Sequence, residues 1–181
     1  MSSYCRLALG HDLHGPYHDE EYGFPQRDET VLFERLCLEI FQAGLSWELV
    51  LRRRPGLREA FRAFEVDAVA AMDADDRSRL LTDARIIRNR LKLDAVIGNA
   101  QRVQGLRNSH GGFAGWLDAH HPRSREEWVK LFRKTFKFTG GEIVGSFLMS
   151  LGYLPGAHAE DCPAHARILA LSPPWRHVRT P

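Results

Sequence analysis

The chain has 181 residues, 44% of them hydrophobic and 27% charged, with a formal net charge of +2. These proportions belong to a globular chain that buries one core, and they exclude a largely disordered polymer, a collagen or a coiled coil. No apolar run approaches the ~20 residues of a membrane span, and Met1-Ser2-Ser3-Tyr4-Cys5-Arg6 has no signal-peptide core, so the composition predicts a cytosolic protein.

Turn formers Gly10, Gly15, Pro16, Gly23 and Pro25 predict an irregular arm over residues 1–27. Asp28 is an N-cap candidate, followed by Val31, Leu32, Leu36, Cys37 and Phe41 at helical spacing as far as Gly44. An apolar stretch from Ser46 through Leu51 is expected to end near Pro55-Gly56, with short helices over 57–64, 67–72 and 75–82. A tight connection near Ala84-Arg85 leads into a long helix carrying Ile86, Leu93, Ile97 and Val103. Gly111-Gly112 breaks it, and helices follow over 113–120, 126–136 and 142–151. No stretch alternates with period two, so the fold class is all-α, with eight or nine helices.

Arginine supplies most of the positive charge, since Lys92, Lys130, Lys134 and Lys137 are the lysines of the chain. Arginine forks suit phosphate, although a GC-rich genome produces the same bias. Cys5, Cys37 and Cys162 are an odd number of cysteines, which argues against a disulfide framework. Cys5 and His18 near the start, with His158 and Cys162 near the end, have the composition of a closed tetrahedral metal site. His11, His14 and His165 compete as ligands, and spacing alone does not separate this reading from two buried thiols and two surface histidines.

Three further constellations bear chemistry. Tyr17-His18-Asp19-Glu20-Glu21-Tyr22-Gly23 crowds aromatics and carboxylates; its rings either form a stacking platform or pack the arm onto the core. Glu39 sits on the apolar helix and Trp47 lies beyond Gly44; Glu39 is either a buried acid in a site or a solvated edge residue. Arg85, Arg88 and Arg90 cluster at a helix N-terminus, where backbone N–H groups bind phosphate, unless they simply form a solvated face. Phosphate-binding Gly-rich loops, H-E-x-x-H and G-x-S-x-G are absent, which leaves nucleotide hydrolysis and dinucleotide redox chemistry without support.

Taken together, Tyr17-His18-Asp19, Glu21-Tyr22-Gly23, Glu39, Gln42-Ala43-Gly44-Leu45-Ser46-Trp47, Asp83-Ala84, Ile86-Ile87-Arg88, Arg90, Lys92, Asn99-Ala100 and Phe136-Lys137-Phe138 resemble the DNA-3-methyladenine glycosylase I family, in its order and spacing. The resemblance runs from Cys5 to about Cys162. It implies the helix-hairpin-helix glycosylase fold in one domain, with a helical core over about 28–152 and a zinc-stapled lobe from 1–27 plus 153–181. It implies a structural zinc held by Cys5, His18, His158 and Cys162, and Glu39 as the acid that hydrogen-bonds the excised base. It also implies Tyr17, Trp47, Tyr22 and His14 around that base, and Arg85, Arg88, Arg90 and Lys92 on the DNA backbone. The expected activity is monofunctional release of 3-methyladenine from alkylated double-stranded DNA by a monomer in the bacterial cytosol. A damage-binding protein of the same fold without excision is the alternative, and an open-shell zinc hydrolase is a distant third.

The chain departs from the family pattern at several positions. Arg85 and Leu91 stand where glycines are common, Arg6-Leu7 where Gly-Trp is, His14 where a Tyr occurs and Tyr22 where a Trp does. Gly141-Glu142 and Gly156-Ala157 differ as well. An Arg at position 85 predicts a reshaped hairpin turn, because Arg does not take positive φ freely.

Overall fold

The structure, a computed structural model, describes residues 1–177; the end of the expected C-terminal lobe, residues 178–181, lies outside them. Among the described residues the chain forms eleven α-helices and two short 3-10 segments, with no strand, so the all-α expectation holds. The arm, expected to be irregular, contains α1 (Ser3–Ala8) and α2 (His14–Glu20). Local capping explains this. The Ser2 hydroxyl accepts from the Cys5 amide at 3.2 Å, and His11 Nδ1 accepts from the Leu13 and His14 amides at 3.2 and 3.3 Å.

The central helix is α3 (Glu29–Gln42), started where the sequence predicts by Asp28, whose side chain accepts from the Val31 amide at 3.0 Å. Every residue from Leu32 to Phe41 is buried. A surface helix would show a polar face; this one is enclosed on all sides, which is why charged Glu34, Arg35 and Glu39 are buried with it. Next comes α4 (Trp47–Ala60), which runs through the break expected near Pro55-Gly56 and joins the apolar stretch before it to the start of the short helix expected over 57–64. A mid-helix proline costs about 3 kcal/mol. Val50 and Leu51 before it, and Leu57 and Ala60 after it, are buried, and that burial keeps the helix continuous.

Then follow α5 (Val66–Ala70), α6 (Ala74–Thr82), α7 (Arg90–His110), α8 (Phe113–His120), α9 (Arg125–Thr135), α10 (Gly141–Ser150) and α11 (Pro163–Ala170), the last unforeseen in the tail. The connection expected near Ala84-Arg85 is present but longer: residues 86–89, read from sequence as the opening of the long helix, belong to a non-helical link over 83–89 between α6 and α7. The core is contributed mainly by α3, α4, α7, α8, α9 and α10, with Phe113, Trp116, Trp128, Phe132, Phe136 and Phe147 meeting at ring-centroid distances of 5.2–6.2 Å. Cys5, Cys162 and Ala164, with Phe24 against them, form a separate small apolar cluster where the two ends of the chain meet. None of the described helices is long and apolar enough to cross a membrane.

Candidate active site and metal cluster

A cavity of about 180 Å³, below the ~300–1,000 Å³ of drug-sized sites, is lined by Tyr4, Tyr17, Tyr22, Glu39, Gln42, Trp47 and Ser146. Glu39 and Gln42 come from the last turns of α3, one helical turn apart on the same face. Beyond them Gly44 takes φ +78°, a conformation that suits glycine, and turns the chain so that Trp47 opens α4 on the same cavity. That turn is braced from two sides. Gln42 Nε2 donates to the Leu45 carbonyl at 2.9 Å, and Lys92 Nζ donates to the carbonyls of Phe41 and Ala43 at 2.8 and 2.6 Å. Tyr17 stands 5.1 Å from Trp47 and 5.8 Å from Tyr22, ring centroid to centroid.

Among the described residues the Glu39 carboxyl has no hydrogen-bond partner, and burial pushes its pKa up to about 8. Arg35, one turn earlier, pulls the other way. Its guanidinium is committed elsewhere, donating at 2.7 Å to the carbonyls of both Glu21 and Ser150. The cavity therefore holds a buried acid with no hydrogen-bonded counter-charge, ringed by aromatic faces.

Cys5, His18, His158 and Cys162 converge, all buried, with their ligand-type atoms within 4.8 Å of one another. The tautomers show that the group suits a cation. His18 Nδ1 donates to Asp19 at 2.7 Å and His158 Nε2 donates to the Tyr22 carbonyl at 2.6 Å. The remaining nitrogens, His18 Nε2 and His158 Nδ1, then face each other lone pair to lone pair at 3.0 Å. Cys162 Sγ lies 3.7 and 3.6 Å from those two nitrogens. An oxygen partner on the outer nitrogen of each ligand histidine is the usual support of a metal site. Burial opposes ionisation of the Cys5 thiol, but hydrogen bonds from the Ser2 hydroxyl, the two histidines and the Ala159 backbone together draw its pKa below the ordinary thiol value. His165 is not part of this group.

His11, His14 and Glu48 also lie close together. His11 Nδ1 is occupied as an acceptor of backbone amides and Glu48 is paired with Arg52 at 2.7 Å, so this group is a helix cap beside an ion pair. His14 does not line the cavity as the sequence implies; its ring packs against Tyr4 at 5.8 Å and His11 at 4.7 Å. Tyr4, Gln42 and Ser146 line it although no role was read for them from sequence. Gln42 was visible within the Gln-Ala-Gly-Leu-Ser-Trp string; Tyr4 and Ser146 carried no signal.

The hairpin residues divide into three kinds. Arg85 is bound to Asp83 at 2.9–3.0 Å and to Glu59, so its charge is spent within the protein. No residue of 83–91 has positive φ, and the turn accommodates Arg85 by that route. Lys92, expected on the DNA backbone, is buried and holds the end of α3 instead. Arg88 and Arg90 are exposed, and no hydrogen bond or ion pair among the described residues engages their guanidinium groups. The hairpin backbone packs on α4 at Gly56, where a Cβ would stand 2.8 Å from the Arg85 carbonyl oxygen.

The methyladenine glycosylase family matches this chain over residues 8–130. DNA-3-methyladenine glycosylase 1 of Escherichia coli (strain K12) is 36% identical over 177 residues, which covers 87% of this chain and 94% of that protein. DNA-3-methyladenine glycosylase of Haemophilus influenzae (strain ATCC 51907 / DSM 11121 / KW20 / Rd) is 31% identical, covering 90% and 98%. The structure of 3-methyladenine DNA glycosylase I from Staphylococcus aureus, solved for its recognition of 3-methyladenine, superposes with a TM-score of 0.80 at 31% identity, covering 91% of this chain and 98% of that one. A shared order of motifs, a shared helical fold and identity above 30% across nearly the whole length lead to one conclusion: the chain belongs to the methyladenine glycosylase family.

Proposed function

We propose that the chain excises 3-methyladenine from alkylated double-stranded DNA by hydrolysing its N-glycosidic bond, as a monofunctional glycosylase of base excision repair. The observation that carries this reading is the buried, unpartnered Glu39 at an aromatic-walled cavity sized for a small ring system. The flipped 3-methyladenine nucleoside is cationic. Its charge is the counter-charge that Glu39 lacks, and entry of the base favours the ionised carboxylate. Tyr17, Tyr22 and Trp47 present ring faces that favour a cation. The ionised Glu39 accepts from the exocyclic amine and stabilises positive charge as the sugar approaches an oxocarbenium ion. The bond electrons leave with the base, water adds at the sugar carbon, and its proton passes to solvent.

No Schiff base enters this scheme. Burial lowers the Lys92 pKa, but its Nζ is committed to the carbonyl oxygens of Phe41 and Ala43 and Lys92 does not line the cavity, so the scheme gives it no nucleophilic part. Arg88 and Arg90 contact the DNA phosphates. The residues of the cysteine–histidine group suit zinc: two thiolates and two imidazoles are the donor set of a closed structural site, and a zinc ion held by Cys5, His18, His158 and Cys162 would cross-link the chain ends. Residues 28–152 then form the catalytic core, and 1–27 with 153–181 the zinc lobe, in a monomer acting in the bacterial cytosol.

The test is chromatographic detection of free bases released from methylated duplex DNA, with Glu39→Gln in parallel. The expected result is 3-methyladenine release by the parent and a rate ~10²–10³-fold lower in the variant. Salt-dependent DNA binding with no base released by either protein would sink this reading in favour of a non-excising damage binder.

A further inference from the structure

The two short helices of the N-terminal arm share an arrangement. On α2, Tyr17 lines the cavity and the next residue, His18, joins the metal cluster. On α1, Tyr4 lines the cavity and the next residue, Cys5, joins the cluster. Consecutive helical positions point about 100° apart, so each helix shows one residue to the pocket and its neighbour to the cluster. The third chain segment behaves alike: the Tyr22 ring lines the cavity while its carbonyl accepts from His158.

Tyr4 is the member of this set that has no assigned part. Its ring is held edge-on by Tyr22 at 5.5 Å, His18 at 5.7 Å and His14 at 5.8 Å, with interplanar angles of 63–83°. Its hydroxyl oxygen is shielded from solvent and makes no hydrogen bond of good geometry. A neighbouring side chain, the Trp47 indole, is only a donor. The hydroxyl hydrogen therefore lacks an acceptor. A buried polar group left in that state costs free energy unless a ligand completes it. A phenol carries its hydrogen at neutral pH, so the group is an O–H donor.

We propose that Tyr4 is a base-binding residue of the pocket, donating its hydroxyl hydrogen to a ring-nitrogen acceptor of the bound purine, and that the Cys5–His18 cluster fixes where that hydroxyl stands. This assignment rests on the glycosylase reading above. It gives the lobe a direct share in recognition: Glu39 accepts from the purine while Tyr4 donates to it, so the two edges of the base are told apart by complementary polarity.

The experiment is tryptophan-fluorescence titration of the metal-loaded full chain with free 3-methyladenine, comparing the parent with Tyr4→Phe, which keeps the ring and removes the hydroxyl. Metal content and thermal midpoint are measured on both. A ~3–10-fold weaker dissociation constant for the variant, with metal content and midpoint unchanged, is the expected result. A second variant, Tyr4→Leu, should lose more, because the ring goes as well. Equal affinity of parent and Tyr4→Phe, in a parent that binds and excises the base, overturns the Tyr4 assignment alone. A parent that neither binds free 3-methyladenine nor releases it from DNA overturns the glycosylase reading, and the Tyr4 assignment with it.

Discussion

Glu39 combines burial, an absent hydrogen-bond partner and a pKa near 8, and those properties have a thermodynamic signature separate from activity. In the unfolded chain a glutamate titrates near 4.3. Between that value and about 8 the folded state holds the proton and the unfolded state does not. Stability contributed at this position is therefore unaffected below pH ~4 and falls as pH rises through the window. Glu39→Gln should be more stable than the parent at pH 9 by up to about 5 kcal/mol, with the difference vanishing near pH 4; thermal midpoints across that range check it. A constant difference at all pH values would mean that the effect is one of packing. The acid itself was legible in sequence, because a glutamate within the run Leu36-Cys37-Leu38-Glu39-Ile40-Phe41 stands out. Its burial was not legible, since whether α3 shows a solvated face depends on the helices packed around it. Tyr4 was invisible for a related reason: beside a buried cysteine, a tyrosine reads as ordinary packing.

At the scale of elements, the hairpin between α6 and α7 carries two exposed arginines and one that is internally neutralised. Phosphate contacts are read through the salt dependence of binding, where each one lost lowers the slope of log K against log salt by ~1. Arg88→Ala and Arg90→Ala should each do so, whereas Arg85→Ala should leave the slope nearly unchanged and lower stability slightly; titrations from low to moderate salt decide it. Sequence spacing placed all three together because it counts charge without partners. Lys92 was misread in the same way. It opens α7 beside the exposed arginines, but its ammonium ends on the carbonyls of Phe41 and Ala43, so it braces the turn that carries Gln42 and Trp47. The Pro55 break was also misjudged, because local propensity stops a helix there while buried contacts on both sides carry it through.

Across the whole molecule, the cysteine–histidine cluster joins positions some 150 residues apart, and the rings beside its members form one wall of the pocket. Chelation should therefore loosen the lobe before the core. The expected result is a lowered thermal midpoint and a weakened affinity for free 3-methyladenine, with the rate of excision at saturating DNA changed far less. Metal removal that abolishes the saturated rate and spares base affinity would instead give the ion a part in the chemical step. The Arg54 guanidinium adds a second tie between arm and core, bidentate to Glu21 at 2.7 and 2.8 Å and also bonded to Glu34. That tie keeps the arm docked without the metal, so the loss on chelation should be partial.

The sequence by itself determined the all-helical class, the start of α3 at Asp28 and the order of motifs that marks the family, because caps, apolar spacing and signature strings are local properties. The likeness of those strings to the family also pointed to the four metal-cluster residues and to Glu39, since ligand types at matched positions are written in the chain. Only the tertiary structure decided which side chains share a space. It turned His14 away from the pocket and brought Tyr4 into it, buried Lys92 and neutralised Arg85. Each outcome depends on a partner distant in sequence or on which face a short helix presents, and neither is encoded by spacing along the chain.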